Sequence, residues 1–535
     1  MSLFIVRFWK ILYTGKTGGM AMVAYIRSMG LFGIDGFPVD VEADLSAGLP
    51  GFDVVGLPDT AVRESRDRVR AAIKNGGFSY PVSRITVNLA PAAVRKEGPI
   101  YDLPLFLALL AASGQLKRDE AYRTLDDCAF LGELSLTGEV RPVRGVLPMV
   151  VSARQAGIRR IFVPAANAAE GAVVDGIEVY PVTSTAALLA HLAGEAPLAP
   201  AVPAAVSAAG GQTGPDFSDV MGQTVARRAA EIAAAGMHNL LFIGTPGSGK
   251  SMLARRIPSI LPDMTPEEAL AATKIHSVAG TLPAGAGLLA SRPFRAPHHT
   301  ISPQGLTGGG LIPRPGEVSL AHSGILFLDE LAEFSRAAME SLRQPLEDQT
   351  VTISRVNASV TYPCSFMLVA AMNPCPCGYY GHPTRECTCS PGAVQRYLSR
   401  ISGPLLDRID MHVELSTVTF TELQASAQAE SSASIRQRVN AAHRIQQERF
   451  AGTGITANAR IPSSGIKRWC ILTPDAQALL RAAYEKLEMS VRGYDRLLKV
   501  ARTIADLAGS EIITRQHIGE AIQYRSLDRK YWHAR

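Results

Sequence analysis

No apolar stretch of this 535-residue chain is long and uncharged enough to cross a bilayer, which takes about 20 largely apolar residues. The longest candidate, residues 103–112, reads as a buried helix, so no membrane partner is expected. A secretory signal is missing as well. The first 21 residues, MSLFIVRFWKILYTGKTGGMA, are interrupted by Arg7 and Lys10 and lack a small-residue cleavage site. Met20 or Met22 is an expected natural start, the preceding residues being a tail or a start-site artefact. Charge is scarce, at 19% of residues, and the net charge of +6 is compatible with a nucleic-acid partner and equally with an ordinary basic protein. No solenoid-type repeat is present. Seven cysteines, four of them between 375 and 389, fit a reducing cytoplasm with a metal site better than a disulfide framework.

What is present is globular, with 47% hydrophobic residues and length for roughly three domains. Residues 194–215, GEAPLAPAVPAAVSAAGGQTGP, carry one charge and read as a linker that spans roughly 25 Å as a flexible coil. Before it, β-patterned runs such as 84–88 mix with helical runs such as 61–74. Beyond residue 473 the pattern is helical, with Thr473, Ser490 and Thr514 as expected caps.

The octet GTPGSGKS at 244–251 follows the apolar run NLLFI and precedes a helix-compatible stretch, the context a phosphate-binding loop requires. Gly244, Thr245, Pro246, Gly247, Ser248 and Gly249 would wrap phosphate oxygens with backbone amides. Lys250 would reach the β- and γ-phosphates, and Ser251 would hold Mg²⁺. ATP and Mg²⁺ are the expected ligands. The run SGILFLDE at 323–330 adds a buried strand closing on two acids, Asp329 for Mg²⁺ and Glu330 to polarise water. A further strand at 366–372 ends at Asn373, a neutral group placed to sense a γ-phosphate or the attacking water.

Cys375, Cys377, Cys387 and Cys389 form two C-x-C pairs around a Gly-containing loop, a spacing that brings four thiolates to one tetrahedral Zn²⁺. His382 is an alternative fourth ligand, and unligated reduced thiols remain the other reading. The remaining three, Cys128, Cys364 and Cys470, read as apolar packing. Residues 280–316 are rich in Gly and Pro and carry Arg292, Arg295, His298, His299 and Arg314. Two β-patterned runs, 349–354 and 358–362, flank Arg355 as a hairpin. The adjacent histidines, on an extended chain, point opposite ways and are assigned no site.

In this order, GTPGSGKS, ILFLDE, AAMNPCPCG and SGPLLDRID resemble AAA+ ATPases and, within them, the magnesium-chelatase-like ComM/YifB family. GLPGFDVVGLPDTAVRESRDRVRAAIKNGG, RPFRAPHHT, VARTIADLAG and EAIQYRSLDRKYW are similar to that family's signatures, and the match runs from Met22 to Trp532. The resemblance implies that Arg408 acts as an arginine finger across a subunit boundary and Arg492 as a sensor arginine in cis, hence a homohexameric ring. It also implies that basic loops, with Arg292, Arg295 and Arg355 as candidates, grip single-stranded or branched DNA through phosphates. The implied activity is an ATP-driven helicase promoting branch migration in recombination during natural transformation. The alternatives are a chelatase-type motor inserting Mg²⁺ into a porphyrin, and a chaperone-like ring.

LTGEVRPVRG at 136–145 resembles the proteolytic domain of Lon proteases, whose chemistry needs a Ser and a Lys. Ile100 and Leu147 stand in those places, so no proteolysis is expected. Lys96 lies nearby without a suitable hydroxyl in the motif. The expected architecture is α/β: a tail at 1–21, a Lon-protease-like (S5-like) α+β domain at 22–193, the linker at 194–215, a P-loop AAA+ module at 216–420 and a helical lid at 421–535.

Overall fold

The computed structural model describes residues 23–116, 124–203, 214–283, 285–310, 313–355, 358–382, 384–416 and 430–532. The expected tail at 1–21, linker residues 204–213 and the proposed boundary at 420/421 lie outside them. The described residues divide into two compact units, the first ending at Val202 and the second taking in Phe32–Ile34 and the residues from Pro203 onward.

In the first unit, β1 (Ala24–Phe32), β2 (Asp35–Ser46), β3 (Gly51–Val55) and β4 (Arg84–Ala90) form one sheet in the order β1-β2-β4-β3. β2 runs antiparallel and β3 parallel to β4. Alternate residues Val39, Val41 and Ala43 on β2 and Ile85, Val87 and Leu89 on β4 are buried, the signature of a sheet with one covered face. Helix Thr60–Asn75 starts where the Asp59 carboxylate accepts the Val62 N–H at 2.8 Å, and it turns Val62, Val69 and Ile73 inward. Helix Asp102–Ala112 is buried along its whole length, as its apolar run predicts. The single acid in that helix, Asp102, is buried with its carboxylate paired to Arg68 at 2.6 Å and accepting the Leu134 N–H at 3.1 Å.

β5 (Cys128–Phe130), β6 (Glu133–Leu134), β7 (Val140–Arg141), β8 (Arg160–Pro164) and β9 (Glu178–Val182) complete this unit. β5-β8-β9 is a parallel sheet and β6-β7 an antiparallel pair. Ile100 and Leu147 are buried, and Lys96 is fully enclosed with its ammonium donating to the Pro91 carbonyl. The expected coil at 194–215 is tied down at its start: the Leu198 N–H donates to His191 Nδ1 at 2.9 Å and the Ala201 N–H to the Val179 carbonyl at 2.7 Å.

The second unit contains β10 (Leu240–Gly244), β11 (Phe294–Arg295), β12 (Gly308–Gly309), β13 (Arg314–Pro315), β14 (Ile325–Leu328), β15 (Thr350–Arg355), β16 (Ala358–Pro363), β17 (Met367–Met372) and β18 (Met411–Leu415). Five of these make a wholly parallel sheet in the order β11-β14-β17-β10-β18. Its strands are continuous apolar runs because both faces are covered. Side chains alternate between two cores. Leu240, Phe242, Ile325, Phe327, Val369 and Val413 join the core formed with helices Thr224–Gly236, Ser432–Arg449, Pro474–Lys486, Val491–Leu507 and Arg515–Gln523. Leu241, Ile243, Leu326, Leu328, Leu368 and Ala370 join the other, with helices Arg336–Ser341 and Pro391–Leu398 and the β15-β16 hairpin. Each such buried aliphatic side chain contributes about 1.5–3 kcal/mol relative to exposure.

Ser490 accepts the Gly493 N–H at 3.1 Å at the start of Val491–Leu507, and Thr514 forms a capping box with His517, as the sequence pattern predicts. Thr473 precedes Pro474 at its helix start, although its hydroxyl makes no capping bond to that helix's amides.

Candidate functional site

Parallel strands put all their C-terminal ends on one edge, and the candidate residues occupy three of those ends. β10 closes on Gly244 and opens into the phosphate-binding loop, β14 closes before Asp329 and β17 before Asn373. Register aligns Ile243 with Met372 and Leu328 with Ala370, so the loop, the acidic pair and Asn373 meet side by side. Helix Lys250–Ala254 leaves the same edge and aims its N-terminus at it. Gly249 sits at φ +88°, a left-handed conformation that favours glycine, and a Cβ on Gly244 would meet the Leu415 carbonyl oxygen at 2.9 Å.

Lys250 donates to the carbonyls of Gly244 and Thr245 at 2.8 and 2.7 Å, which curls the loop around its ammonium. Burial pulls its pKa down to about 8, against the raising influence of Asp329 and Glu330. The Ser251 hydroxyl donates to Asp329 at 2.6 Å, bringing together the two oxygens expected on Mg²⁺. Two loop hydroxyls, Thr245 Oγ1 and Ser248 Oγ, are buried without a hydrogen-bond partner among the described residues. A polar cradle with orphaned donors and an enclosed cation fits a polyphosphate carrying Mg²⁺.

Glu330 follows at φ +53°, a left-handed conformation costing a non-glycine residue of order 1 kcal/mol, which turns its carboxylate to an open cleft of about 250 Å³. Arg255, His298, His299 and Asp329 share that cleft. His299 Nδ1 lies 3.5 Å from the Glu330 carboxylate, and the two histidine rings are 4.1 Å apart. The expectation that the pair points opposite ways is therefore corrected: the segment bends after β11, and both rings line one wall. His299 is a residue that sequence reasoning left unassigned, since its partner is 31 positions away.

Arg408 and Arg492 lie on the opposite edge. The Asn239 side chain, at the start of β10, donates to the Arg408 carbonyl at 2.8 Å, and Asp410 accepts the Asn239 N–H. At about 3.3 Å per residue, the five steps from Asn239 to Gly244 separate Arg408 from its own phosphate loop by roughly 17 Å. Arg492 sits at the start of helix Val491–Leu507, whose Arg496 lies 3.6 Å from Asp410 and so places that helix at the same edge. Both arginines reach one carboxylate, Glu347: Arg408 directly, and Arg492 at 3.3 Å. The Arg408 hydrogen bond, with the charge of the neighbouring arginines, holds the Glu347 carboxyl below its ordinary range. The backbone of Arg408 and the helix that carries Arg492 thus stand at the edge of the sheet opposite this chain's own P-loop.

The four cysteine sulfurs lie within 4.8 Å of one another. Cys375 is 3.4 Å from Cys377 and 3.7 Å from Cys387, and Cys377 is 3.5 Å from Cys387. Four thiolates at about 2.3 Å from a tetrahedral Zn²⁺ would be roughly 3.8 Å apart, so the cluster fits that ion. His382 turns elsewhere, its Nδ1 accepting the Thr384 and Arg385 N–H groups, and is dropped as a fourth ligand. Gly378, inside the loop, packs so closely on the phosphate loop that a Cβ there would meet Pro246 Cδ at 2.4 Å.

The three expected DNA contacts have different fates. Arg292 is buried and fully used by Glu268 at 2.8 Å and by the carbonyls of Pro262, Asp263 and Ser323, so it has no face left for a phosphate. That expectation is corrected. Arg295 is paired with Glu317 at 2.6 Å and a third exposed. Arg355 ends β15 on an exposed hairpin arm, with a 3.4 Å contact to the Gly310 carbonyl, and stays open to a ligand.

Comparison with known proteins agrees with this geometry. Family models match in three blocks: "Subunit ChlI of Mg-chelatase" at 41–167, "Magnesium chelatase, subunit ChlI" at 216–423 and "Magnesium chelatase, subunit ChlI C-terminal" at 429–525. The chain is 44% identical over 513 residues to the YifB protein of Escherichia coli K12, covering 96% of this chain and 98% of that one. It is 44% identical over 512 residues to the competence protein ComM of Haemophilus influenzae, covering 95% and 98%. A Lon protease of Mycolicibacterium smegmatis shares 30% identity over 189 residues, 33% of this chain and 23% of that one. With parallel-sheet architecture, phosphate loop and near full-length relatives in agreement, the chain belongs to the magnesium-chelatase-like ComM/YifB family.

Proposed function

We propose that this chain is the subunit of an ATP-hydrolysing homohexameric ring that moves on DNA and promotes branch migration. The observation that carries the reading is the division of the nucleotide chemistry between two opposite edges of one sheet. Lys250, Ser251, Asp329, Glu330 and Asn373 stand at one edge, Arg408 and Arg492 at the other. A subunit built this way completes its site with arginines from a neighbour, a heterologous contact that closes into a ring. In that site Lys250 and the loop amides hold the phosphates, while Ser251 and Asp329 hold Mg²⁺. Glu330 orients water from within reach of His299, and Asn373 faces the terminal phosphate. The neighbour's Arg408 and Arg492 neutralise charge developing on that phosphate.

Arg355 and the β15-β16 arm are the proposed DNA contact, through phosphates and without base reading. The competence protein ComM, similar over nearly its whole length, supports a role in the integration of incoming DNA. Zinc held by Cys375, Cys377, Cys387 and Cys389 is proposed as a structural clamp, with Gly378 pressed on Pro246. Purified protein should unwind branched DNA with ATP, and Lys250→Ala or Glu330→Gln should abolish this; an ATPase indifferent to DNA would refute the motor reading. The family models' chelatase description favours a second reading, a motor serving metal insertion. Steeply salt-dependent DNA binding separates the two, since each neutralised phosphate releases counterions.

A further inference from the structure

We propose that Glu347 is a positioning residue that occupies Arg408 and Arg492 until a neighbouring subunit's nucleotide arrives, and then yields both to its phosphates. The proposal rests on the ring reading above. Its two carboxylate oxygens are divided between the two cations, Oε2 on Arg408 Nη2 and Oε1 on Arg492 Nη2 at 3.3 Å. One anion bridging two guanidinium groups is the arrangement a terminal phosphate would adopt between the same arginines. An ordinary structural ion pair would need Arg408 alone, which is anchored by its own donation to the Pro404 carbonyl at 2.6 Å. Arg492 is 58% exposed and Glu347 50% exposed, so an exchange of anions begins at the outward half of the bridge, while the Arg408 side chain, 8% exposed, is reached only once Glu347 has moved off it. Arg408 Nε is buried and, among the described residues, has no hydrogen-bond partner. Of its five N–H groups, Pro404 and Glu347 take two, and a phosphate with more acceptor oxygens supplies what a carboxylate does not.

The carboxylate is also connected to the arm proposed to touch DNA. Glu347 lies in the last turn of helix Arg343–Asp348, which stops at Gln349 with φ +56°. The Gln349 carbonyl accepts the Cys364 N–H at 2.8 Å, closing the base of the β15-β16 hairpin one residue later. Releasing Glu347 from two cations frees the helix end on which that hairpin is mounted. Arrival of a phosphate at Arg408 and Arg492 is thereby transmitted to the hairpin.

The test is steady-state ATP hydrolysis against ATP concentration, with and without DNA, for the full chain and its Glu347→Gln, Glu347→Asp, Glu340→Gln and Arg408→Ala variants. Glu347→Gln keeps the shape and removes the competing charge. Its half-saturating ATP concentration should fall roughly five-fold, the scale of an exposed ion pair, while its DNA-free turnover rises and DNA stimulation shrinks. Glu347→Asp, too short to bridge both arginines, should fall between the two. Glu340→Gln removes a nearby carboxylate that pairs with Arg343 at 2.7 Å and should match the parent. Half-saturation and DNA stimulation that are unchanged in Glu347→Gln, or a raised half-saturation, would overturn the proposal; if that variant fails to fold, Glu347→Asp decides by the same readout. Full turnover in Arg408→Ala would instead sink the ring reading, whereas an inactive Arg408→Ala beside a parent-like Glu347→Gln sinks the latch alone.

Discussion

Lys250 carries its charge into a place that disfavours it, since burial draws its pKa from 10.5 down to about 8. The unfolded chain therefore binds more protons than the free fold between about pH 8 and 10.5, and this residue's penalty on stability is full below that window and fades through it. Nucleotide phosphates favour the charged form, so binding above pH 8 must take up a proton. Affinity for ATP should weaken as pH rises from about 8, approaching tenfold per unit, with proton uptake visible by calorimetry in buffers of different ionisation enthalpy. Lys250→Arg, charged throughout, should flatten that dependence whatever it does to turnover. The phosphate loop around Lys250 was legible because all seven of its motif neighbours, Gly244 to Gly249 and Ser251, are local in sequence. Arg292 was misread for the converse reason: its partner Glu268 lies 24 positions away, and composition alone makes any arginine in a Gly- and Pro-rich stretch look solvated.

At the scale of elements, the buried strands and the hairpin were readable because period-two and apolar-run patterns are properties of a strand by itself. The approach of one element to another was not. The cysteine loop's spacing announced a metal cluster, yet nothing in it announced that Gly378 rests on Pro246, so that a loop beginning two residues after Asn373 also props the phosphate loop. Protein prepared without chelator should contain about one zinc per chain, and Cys387→Ser should hold less than half of that. Loss of the clamp should lower the melting temperature by several degrees, about 2–4 °C for each kcal/mol lost in a domain of this size. It should also reduce turnover at saturating ATP more than it weakens DNA binding, because the loop borders the nucleotide edge and not the hairpin arm. Zinc absent from the parent protein, measured by elemental analysis, would leave reduced thiols as the reading.

For the whole molecule, the decisive feature is that Arg408 and the helix carrying Arg492 are placed at the edge of the sheet opposite the phosphate loop of their own chain. Sequence order hides this, because Arg492 stands 242 residues after Lys250 and its position depends on helix Val491–Leu507 packing at the start of β10 and β18. A site split between copies makes a prediction that a self-contained site does not. Lys250→Ala and Arg408→Ala should each be inactive alone, the first for want of a nucleotide and the second for want of a finger. Mixed in equal amounts and allowed to exchange subunits, they should regain activity, since an Arg408→Ala subunit has a sound phosphate loop and a Lys250→Ala subunit has sound arginines. Half of the loops are intact and half of the neighbours carry Arg408, so random assembly restores about a quarter of the interfaces, provided the contact is head-to-tail. Hydrolysis near that fraction places the arginines in trans, and a mixture as inactive as its parts places the whole site within one chain. Turnover well below a quarter, with ring formation intact by sizing, would mean that neighbouring interfaces must fire in sequence, because one dead interface then silences those beside it.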